Sequence, residues 1–284
     1  MSFRDRIAAC NRYDLSQFRP VFVDDAPIGW VRHDLVPRLA AFPDALIVDD
    51  VSVRLAPQLD THDARTAAMA RVARALDADG TIAGWRGELF PVATHFGAPE
   101  LFRIERAAAS LFGIRAAGVH LNGFVRKNDG LHLWIGRRAL DKPTYPGKLD
   151  HMVAGAQPAG LSLRENLVKE CDEEAGVPEA LARRAVSVGA ISYILANEGG
   201  LKRDTLFCFD LEVPADFVPR NRDGEIAEFT LRPAAEVMEI VRDTDDFKLN
   251  CNLVIIDFLI RHGIIGPEEP DYLDLLADLH GSLV

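Results

Sequence analysis

The sequence predicts an α/β protein of two domains, a smaller α+β domain over residues 1–115 and a second domain over residues 116–284 that ends in a helical extension. Three observations support this prediction. The chain has 284 residues, which is long for one domain and comfortable for two. Apolar residues make up 48% and charged residues 26%, an ordinary globular composition that allows a core in each half. The residue pattern changes at residues 113–117, and segments with the pattern of strands follow.

Composition and charge narrow the expected partners and location. The net charge is −11 at pH 7, and nucleic acids or anionic membranes are not expected partners because both need a cationic surface. The four cysteines are far apart and form no CxxC pair, so neither a disulfide framework nor a zinc ribbon is expected. Residues 1–10 have no long apolar stretch, and the apolar run 253–260 is too short to span a bilayer. We therefore expect a cytoplasmic protein.

The first domain is expected to open with short elements. Residues 1–13 are compatible with a short helix. Strand pieces at 18–23 and 30–31 flank an Asp-Asp-Ala-Pro turn at 24–27. Residues 36–41 have a helical pattern.

Three longer segments complete the first domain. Residues 45–55 alternate apolar and polar side chains, which predicts a strand. Residues 60–79 are rich in Ala and Arg at helical spacing, and Thr61 is a plausible N-cap. Residues 99–112 have the pattern of a further helix, with charged side chains on its polar positions.

Strand signals dominate the second domain. Residues 119–126 and 131–138 are separated by Asn-Asp-Gly at 128–130, a strong signal for a hairpin turn. A loop rich in Lys, Pro and Gly follows, and a short glycine-bearing connection then leads to a helix at 163–175. Similar patterns predict the remaining elements, which are strands at 190–196, 205–213 and 228–232 and helices at 233–241 and 250–261.

The helix at 163–175 has a marked beginning and a marked end. Ser162 and Glu165 fit a capping box, in which the hydroxyl and the carboxylate satisfy free amides of the first turn. Gly176 supplies the left-handed residue that commonly closes a helix.

Three glutamates form one stripe of this helix. Glu170, Glu173 and Glu174 are at i, i+3 and i+4 and fall within an arc of roughly 100°. The neighbouring arc is apolar and can pack on a sheet: Leu167, Val168, Cys171 and Ala175. Three carboxylates repel one another, and Mg²⁺ relieves the repulsion because it prefers oxygen ligands. Taken alone, such a stripe is more often a solvated acidic face.

The residues around the stripe resemble the Nudix box. That box runs as Gly, five residues, Glu, seven residues, then Arg-Glu-aliphatic-x-Glu-Glu-x-Gly-aliphatic. Residues 155–177 read GAQPAGLSLRENLVKECDEEAGV, with matches at Gly155, Glu170, Cys171, Glu173, Glu174, Gly176 and Val177. Leu161 stands at the position of the first Glu, and Lys169 stands at that of the Arg. Lysine keeps the positive charge but loses the bidentate fork of arginine.

Four further segments resemble one subgroup, the Nudix proteins related to the C-terminal part of fungal thiamine pyrophosphokinase. They are IERAAASLFGI (104–114), GVHLNGFV (118–125), LWIGRRALDKPTYPGKLDHMVAG (133–155) and CNLVIIDFLIRHG (251–263). This resemblance implies an α/β/α Nudix sandwich with a mixed sheet, preceded by a small α/β domain. It also implies hydrolysis of thiamine diphosphate, or of its oxidised analogues, to the monophosphate.

The resemblance also implies roles for individual residues. Glu170, Glu173 and Glu174 would hold Mg²⁺ together with the backbone carbonyl of Ala154, and Mn²⁺ is the alternative ion. The partner would be a small-molecule diphosphate. Positive charge for its phosphates could come from Arg137, Arg138, Lys148, Lys202 or Arg203. Arg138 ranks first because it lies at the end of a predicted strand that faces the loop.

The sequence leaves the general base open. Many Nudix enzymes use a glutamate from a loop outside the helix, and Glu225 is the best candidate here, although its segment could be a plain turn. Glu174 could instead act directly on the water. His151 could touch the substrate or cap the glycine loop, and capping is the favoured interpretation. The other histidines considered show no ligand spacing: His95, His120 and His262.

Two other functions stay open at this point. The substrate could be a nucleoside diphosphate derivative such as ADP-ribose or NADH. No base-reading motif is evident, so the choice of substrate depends on the resemblance alone. Alternatively, the protein could bind a diphosphate without turnover, because Leu161 and Lys169 depart from the box. The first 115 residues could roof the substrate pocket or form the contact of a homodimer.

Overall fold

The computed structural model describes residues 2–142 and 144–281. Apolar side chains form one core within residues 21–114 and two further cores on the faces of a larger sheet. The architecture is therefore the mixed α/β fold that the sequence predicts, with a smaller N-terminal part. The domain boundary at residue 115 itself stays a prediction.

The N-terminal part contains a four-stranded sheet and a separate strand pair. Its helices are α1 (Phe3–Cys10), α2 (Val36–Leu39), α3 (His62–Ala78) and α4 (Arg106–Ala109). Its strands are β1 (Phe18–Val23), β2 (Ala26–Arg32), β3 (Leu46–Val48), β4 (Val53–Leu55), β5 (Leu89–Val92) and β6 (Phe102–Glu105). The sheet has the order β2-β1-β4-β3, and β5 pairs with β6. Thr61 caps α3 as predicted, because its side chain accepts the amide of Ala64.

The segment 45–55 differs from the prediction of a single strand. It forms two short antiparallel strands, β3 and β4. The carboxylate of Asp49 accepts the amides of Val51 and Ser52 at 2.8 and 2.7 Å, which reverses the chain between them. Alternation of apolar residues continues through this turn, so the pattern alone did not reveal it.

The segment 99–112 also differs from the prediction, which was one helix. It forms β6 and then the single turn α4. Phe102 and Ile104 point into the core from alternate positions, and β5 supplies the backbone partners of β6. Pairing with a distant strand therefore overrides the local helical pattern.

A seven-stranded mixed sheet forms the centre of the second part. Its strands are β7 (Arg115–Lys127), β8 (Gly130–Arg138), β9 (Leu149–Asp150), β10 (Val153–Ala156), β11 (Val186–Asn197), β12 (Gly200–Glu212) and β13 (Ile226–Pro233). The main order is β11-β12-β7-β8-β13. β12 and β7 are parallel, whereas the β7–β8 and β11–β12 pairs are antiparallel.

A short segment is inserted between β7 and β8. These two strands pair only near their hairpin, where residues 124–127 of β7 meet β8. Further along, β9 pairs with the end of β8, and β10 pairs with residues 118–121 of β7. Residues 149–156 thereby bring the loop that precedes the glutamate helix into the middle of the sheet.

Helices cover both faces of this sheet. One face carries α5 (Leu163–Ala175) and α6 (Glu179–Ala182), and the other carries α7 (Ala234–Asp243), α8 (Cys251–Arg261) and α9 (Tyr272–Leu279). Successive side chains of a strand point into opposite cores. Phe124 belongs to the core formed with α7 and α8, whereas Val125 belongs to the core formed with α5. The result is the expected α/β/α sandwich.

The first helix packs on the second part of the chain. Phe3, Ile7 and Cys10 of α1 belong to the same core as α8. The buried guanidinium of Arg6 donates to the carbonyl of Val241 at 2.8 Å. Within residues 2–142 and 144–281, no helix has the length and apolar character needed to cross a membrane.

Candidate functional site

The helix α5 is built as the sequence predicts. The Ser162 hydroxyl accepts the amide of Glu165 at 3.2 Å, and the Glu165 carboxylate accepts the amide of Ser162 at 2.9 Å. Gly176 has φ 60° and ψ 29°, the left-handed conformation that ends a helix. Three residues of the predicted apolar arc are fully buried against the sheet, Leu167, Cys171 and Ala175, whereas Val168 is partly buried. This packing fixes the rotation of α5 and turns its glutamates towards β10.

Gly155 and Glu170 are in direct contact. A Cβ atom at residue 155 would lie 2.2 Å from Cγ and 2.3 Å from Cδ of Glu170, so only glycine leaves room for this carboxylate. The separation of 15 residues in the sequence therefore corresponds to a physical contact between loop and helix. Burial raises the pKa of Glu170, and the charge of Lys169 offsets part of that rise.

Glu174 is bound to the same loop. It is 6% exposed, and its carboxylate accepts the amide of Ala154 at 2.8 Å. Burial raises the pKa of Glu174 well above its ordinary value, although the Ala154 amide works in the opposite direction. Two of the three predicted glutamate ligands thus contact β10, the strand that carries the predicted carbonyl ligand.

Glu173 is the most exposed of the three glutamates. It shares the ammonium group of Lys169 with Glu170, at 2.6 Å from Glu173 Oε2 and 3.1 Å from Glu170 Oε1. A positive charge therefore already lies between two of the predicted ligands. Asp172 points elsewhere, as expected, and pairs with Arg222.

These residues fit a hard divalent cation. The donors are three carboxylates and one backbone carbonyl, all oxygen atoms of the kind that Mg²⁺ binds. The missing Cβ of Gly155 creates the space in which the Glu170 carboxylate meets the loop. Burial of carboxylates costs free energy when a single lysine is their only counter-charge. A divalent ion would supply the missing positive charge.

A second group of ligand-type side chains lies deeper in the protein. One ligand atom from each of Asp150, His151 and Cys251 lies within 4.8 Å of the others, and all three residues are buried. Asp150 already faces Arg138 and Lys248, each at 3.2 Å, and accepts the thiol of Cys251 at 2.7 Å. Because two cations already neutralise this carboxylate, we interpret the group as a structural support.

A cleft of about 590 Å³ lies between the two parts of the chain. Its volume is in the range of small-molecule sites. The second part contributes residues 154–156, which include the predicted carbonyl ligand, and residues 116–118 of β7. The N-terminal part contributes the opposite wall, with Arg86, Glu88, Phe90 and Arg106. The N-terminal part therefore forms one wall of this cleft, and its role as a roof over the substrate pocket or as a homodimer contact stays a prediction.

Two of the five candidate phosphate-binding residues, Arg138 and Lys202, line this cleft, whereas Arg137, Lys148 and Arg203 are not among its lining residues. Arg138 is 8% exposed and donates to Asp150 at 3.2 Å and to the Thr144 carbonyl at 3.1 Å. Lys202 is more exposed and lies 3.2 Å from Asp204. Arg138 is thus fixed in the wall, whereas Lys202 has more freedom to reach a ligand. Their contact with phosphate stays a prediction.

Glu225, the predicted base, also lines the cleft. The ammonium of Lys142 lies 2.6 Å from its carboxylate. Burial works to raise the pKa of Glu225, but the hydrogen bond and charge of Lys142 outweigh it and hold the pKa below its ordinary value. Glu225 is therefore ionised in neutral solution and able to accept a hydrogen bond. Whether Glu225 or Glu174 is the base stays a prediction.

A histidine pair at the cleft was not predicted from the sequence. The β7–β10 register places Ala154 opposite His120, and His120 Nδ1 lies 2.8 Å from His151 Nε2. Burial lowers the pKa of His151 to about 4 and holds the pKa of His120 well below its ordinary value, so both rings are neutral. The ring of His151 thus contacts a second histidine, and its role as a loop cap or a substrate contact stays a prediction. Only the strand register, which sequence spacing does not show, could have identified this pair.

Comparison with known proteins places the chain in a family. A family model described as a domain of unknown function (DUF4743) matches residues 2–116. Nudix hydrolase 24, chloroplastic, of Arabidopsis thaliana is 47% identical over 284 residues, which cover 99% of this chain and 78% of that protein. Nudix hydrolase 20, chloroplastic, of the same plant is 46% identical, covering 98% of this chain and 77% of that protein.

The chain also has more distant similarities, to one further protein sequence and to solved structures. An uncharacterized protein of Saccharomyces cerevisiae is 30% identical over 260 residues, which cover 85% of this chain and 75% of that protein. The Nudix domain of Shewanella oneidensis NrtR complexed with ADP ribose matches 53% of this chain and 90% of its own, at 12% identity and a TM-score of 0.42. At that level the structural match adds nothing to the family assignment.

The comparison also corrects one expectation. A cytoplasmic location was predicted from the absence of an apolar leader, but both Arabidopsis relatives are named chloroplastic, and the prediction is wrong by that comparison. The composition of the first ten residues did not discriminate between these locations. The similarity over almost the whole chain, together with the glutamate helix and its glycine loop, shows that this chain belongs to the Nudix hydrolase family.

Proposed function

We propose that this protein hydrolyses thiamine diphosphate, or its oxidised analogues, to the monophosphate with Mg²⁺, for which Mn²⁺ is the alternative ion. Water attacks the terminal phosphorus and the bond from that phosphorus to the bridging oxygen breaks. The monophosphate is the leaving group and keeps the bridging oxygen, and inorganic phosphate and a proton are released. Membership of the Nudix hydrolases supports the reaction type. The substrate is supported by the four segments that resemble the subgroup related to fungal thiamine pyrophosphokinase.

One observation carries the proposed metal site. The Glu170 side chain packs on Gly155, and the Glu174 carboxylate accepts the amide of Ala154. Both contacts direct carboxylates at β10, whose residues 154–156 line the 590 Å³ cleft. A diphosphate in the cleft would therefore lie beside oxygen ligands suited to Mg²⁺.

The residues of the chain have separate tasks in this proposal. Glu170, Glu173, Glu174 and the carbonyl of Ala154 would hold the ion. When bound, a divalent ion polarises phosphate oxygens and stabilises the negative charge that develops on them. Glu225 or Glu174 would accept a proton from the attacking water.

The cationic side chains would orient the phosphates. Lys202 would bind oxygens of the terminal phosphate, after exchanging its contact with Asp204 for one with the ligand. Arg138 is held by Asp150 and would contribute positive potential from the wall. Other lining residues suit a positively charged ring such as a thiazolium, because they are aromatic or acidic: Tyr145, Tyr193, Asp204 and Glu88.

Phosphorus NMR of purified protein tests the proposal. Thiamine diphosphate, its oxidised analogues, ADP-ribose and NADH are each incubated with Mg²⁺, with Mn²⁺ and with a chelator. We expect inorganic phosphate and the monophosphate from a thiamine compound, and no product with the chelator. Preferential cleavage of ADP-ribose or NADH would instead show that the substrate is a nucleoside diphosphate derivative.

Variants on α5 test the assigned ligands. Glu173→Gln and Glu174→Gln are each expected to lower kcat by at least about 100-fold, the scale of lost metal and acid–base contributions. Asp172→Asn is the matched control, because this acid lies on the same helix but pairs with Arg222. Calorimetry with Mg²⁺ and thiamine diphosphate covers the remaining alternative, since tight binding without product would indicate a binding module.

A further inference from the structure

One ion pair of the N-terminal part faces the cleft. Glu88 Oε2 lies 2.8 Å from Arg106 Nη1, and both residues line the cleft. Their backbones are also bonded, because the amide of Arg106 donates to the Glu88 carbonyl at 2.8 Å. The side chain of Arg106 is 43% exposed and that of Glu88 is 29% exposed. A ligand in the cleft can therefore reach the guanidinium group.

Backbone contacts hold this pair against the loop that precedes the glutamate helix. The carbonyl of Leu89, the residue after Glu88, accepts the amide of Ala159 at 2.9 Å. Ala159 lies between β10 and α5. Ala156, the last residue of β10, packs against the core of the N-terminal part. The strand β5 is thus fixed beside the segment that joins the predicted carbonyl ligand to the predicted glutamate ligands.

The charges of the pair act on glutamates of the second part. Burial raises the pKa of Glu170, and the charge of Glu88 adds to that rise. Burial also works to raise the pKa of Glu225, whereas Lys142 and, more weakly, Arg106 lower it. Charges that solvent can reach are largely screened from each other beyond about 10 Å. The Arg106 side chain therefore lies close to the acidic groups between which the diphosphate is proposed to bind.

We propose that Arg106 binds phosphate oxygens of the diphosphate, so that the N-terminal part supplies a residue of the substrate site. The proposal rests on the proposed diphosphatase function, although not on the organic group that the diphosphate carries. A phosphate competes with Glu88 for the guanidinium because it offers several anionic oxygens in a geometry that suits the planar fork. Arg138, the guanidinium that the second part contributes to the cleft, is held by Asp150. Arg106 is more exposed and has the freedom to close on a ligand.

Calorimetric binding of imidodiphosphate, a diphosphate that resists hydrolysis, tests this role at saturating Mg²⁺. Arg106→Gln is expected to raise the Kd of imidodiphosphate at least about tenfold, as for loss of a charge-assisted hydrogen bond. KM is expected to rise by a similar factor for whichever diphosphate the wild-type enzyme cleaves. Arg106→Lys keeps the charge without the fork and is expected to recover part of the affinity.

Arg103→Gln is the matched control. Arg103 lies on β6, pairs with Glu100 at 2.6 Å and is 38% exposed, close to the exposure of Arg106. It is not among the residues that line the cleft. Wild-type Kd and KM are therefore expected for this variant.

Glu88→Gln tests the competition between the carboxylate and phosphate. Removal of the competing charge is expected to lower the Kd of imidodiphosphate about two- to fivefold, the scale of an exposed ion pair. A higher Kd would overturn the exchange of Glu88 for phosphate. Mg²⁺ affinity measured without imidodiphosphate is expected to be unchanged in Arg106→Gln. A loss of Mg²⁺ affinity as large as the loss of imidodiphosphate affinity would overturn the proposal, because Arg106 would then act through the metal site.

The remaining outcomes separate this proposal from the proposed function. Wild-type Kd in Arg106→Gln, an equal rise in Arg103→Gln, or no binding of imidodiphosphate to the wild-type protein would overturn the role of Arg106. Failure to cleave any diphosphate, with a Kd that still depends on Arg106, would overturn the proposed hydrolysis alone. Cleavage of ADP-ribose in place of thiamine diphosphate would overturn only the substrate.

Discussion

At the residue scale, Gly155 determines whether the glutamate stripe can meet its loop. In Gly155→Ala the new Cβ would lie 2.2 Å from Cγ of Glu170, and the carboxylate has to move. We expect kcat/KM to fall at least about 100-fold and Mg²⁺ affinity to fall about 10- to 100-fold, the range seen when support of a metal ligand is lost. Steady-state kinetics and calorimetric titration of Mg²⁺ measure both effects.

Gly199→Ala is the control for that substitution. Its Cβ would lie 3.3 Å from a flexible side-chain oxygen of Asn197, and the residue is on a hairpin turn. Wild-type kinetics are expected for this variant. Unchanged Mg²⁺ affinity in Gly155→Ala would show that the contact with Glu170 does not position the metal ligands.

Residues differ in how far their roles could be predicted. The contact of Gly155 with Glu170 is encoded by a fixed spacing between a loop and a helix that follow each other in the chain. His120 and His151 come together only through the register of β7 and β10. Arg86 of the cleft wall depends on how the two parts of the chain pack. Sequence spacing does not determine contacts of the last two kinds.

At the scale of the element, the beginning of α5 depends on its capping box. Ser162→Ala removes the hydroxyl that accepts the Glu165 amide at 3.2 Å. We expect a loss of about 1 kcal/mol in the free energy of unfolding, the usual cost of an N-cap. Urea unfolding measures it, and Ser187→Ala on the exposed part of β11 is the control. A loss no larger than in the control would mean that packing alone defines this end of α5.

The helix α1 is an element whose local sequence predicts its type but not its location. Ile7 is 3% exposed and lies in the core shared with α8, although it precedes the N-terminal sheet in the chain. Ile7→Ala is expected to destabilise the protein by about 2–5 kcal/mol. In Ile7→Ala, amide hydrogen exchange is expected to accelerate in α8 before it accelerates in α3.

A matched deletion in the other core tests that assignment. Ile28 is 2% exposed and lies in the core of the N-terminal sheet. Ile28→Ala is expected to accelerate exchange first in α3, the reverse of the order for Ile7→Ala. The same order in both variants would show that the two cores unfold as one cooperative unit.

Local patterns predicted most elements, and the failures have physical causes. α3, α5 and the β7–β8 hairpin carry their own caps or turn residues, and each was predicted. The segment 99–112 has no such marker, and its strand β6 is stabilised by pairing with β5. Where stabilisation comes from a distant strand, local periodicity is a weak guide.

At the scale of the whole molecule, residues 110–114 hold the two parts together. The Phe112 carbonyl accepts the amide of Trp30 in β2 at 2.9 Å, and the Ser110 carbonyl accepts the amide of Leu201 in β12 at 2.8 Å. The connection is thus bonded to a sheet on each side. Because the cleft lies between these two parts, the same bonds hold the N-terminal wall over the glycine loop.

Gly200 permits one of the closest of these approaches, and its substitution tests whether domain packing shapes the substrate site. In Gly200→Ala the Cβ would lie 2.2 Å from the Ser110 carbonyl oxygen at a φ of 114°. Backbone strain of about 1–2 kcal/mol is expected, and the clash adds about 1–3 kcal/mol. Gly189→Ala is the matched control, because its φ is 138° but nothing lies within 4 Å of the new Cβ. We expect a higher KM only in Gly200→Ala, since displacement of the wall weakens substrate binding, while kcat stays within about threefold because the glutamates are undisturbed. Equal KM values in the two variants would show that the packing of the N-terminal part does not affect substrate binding.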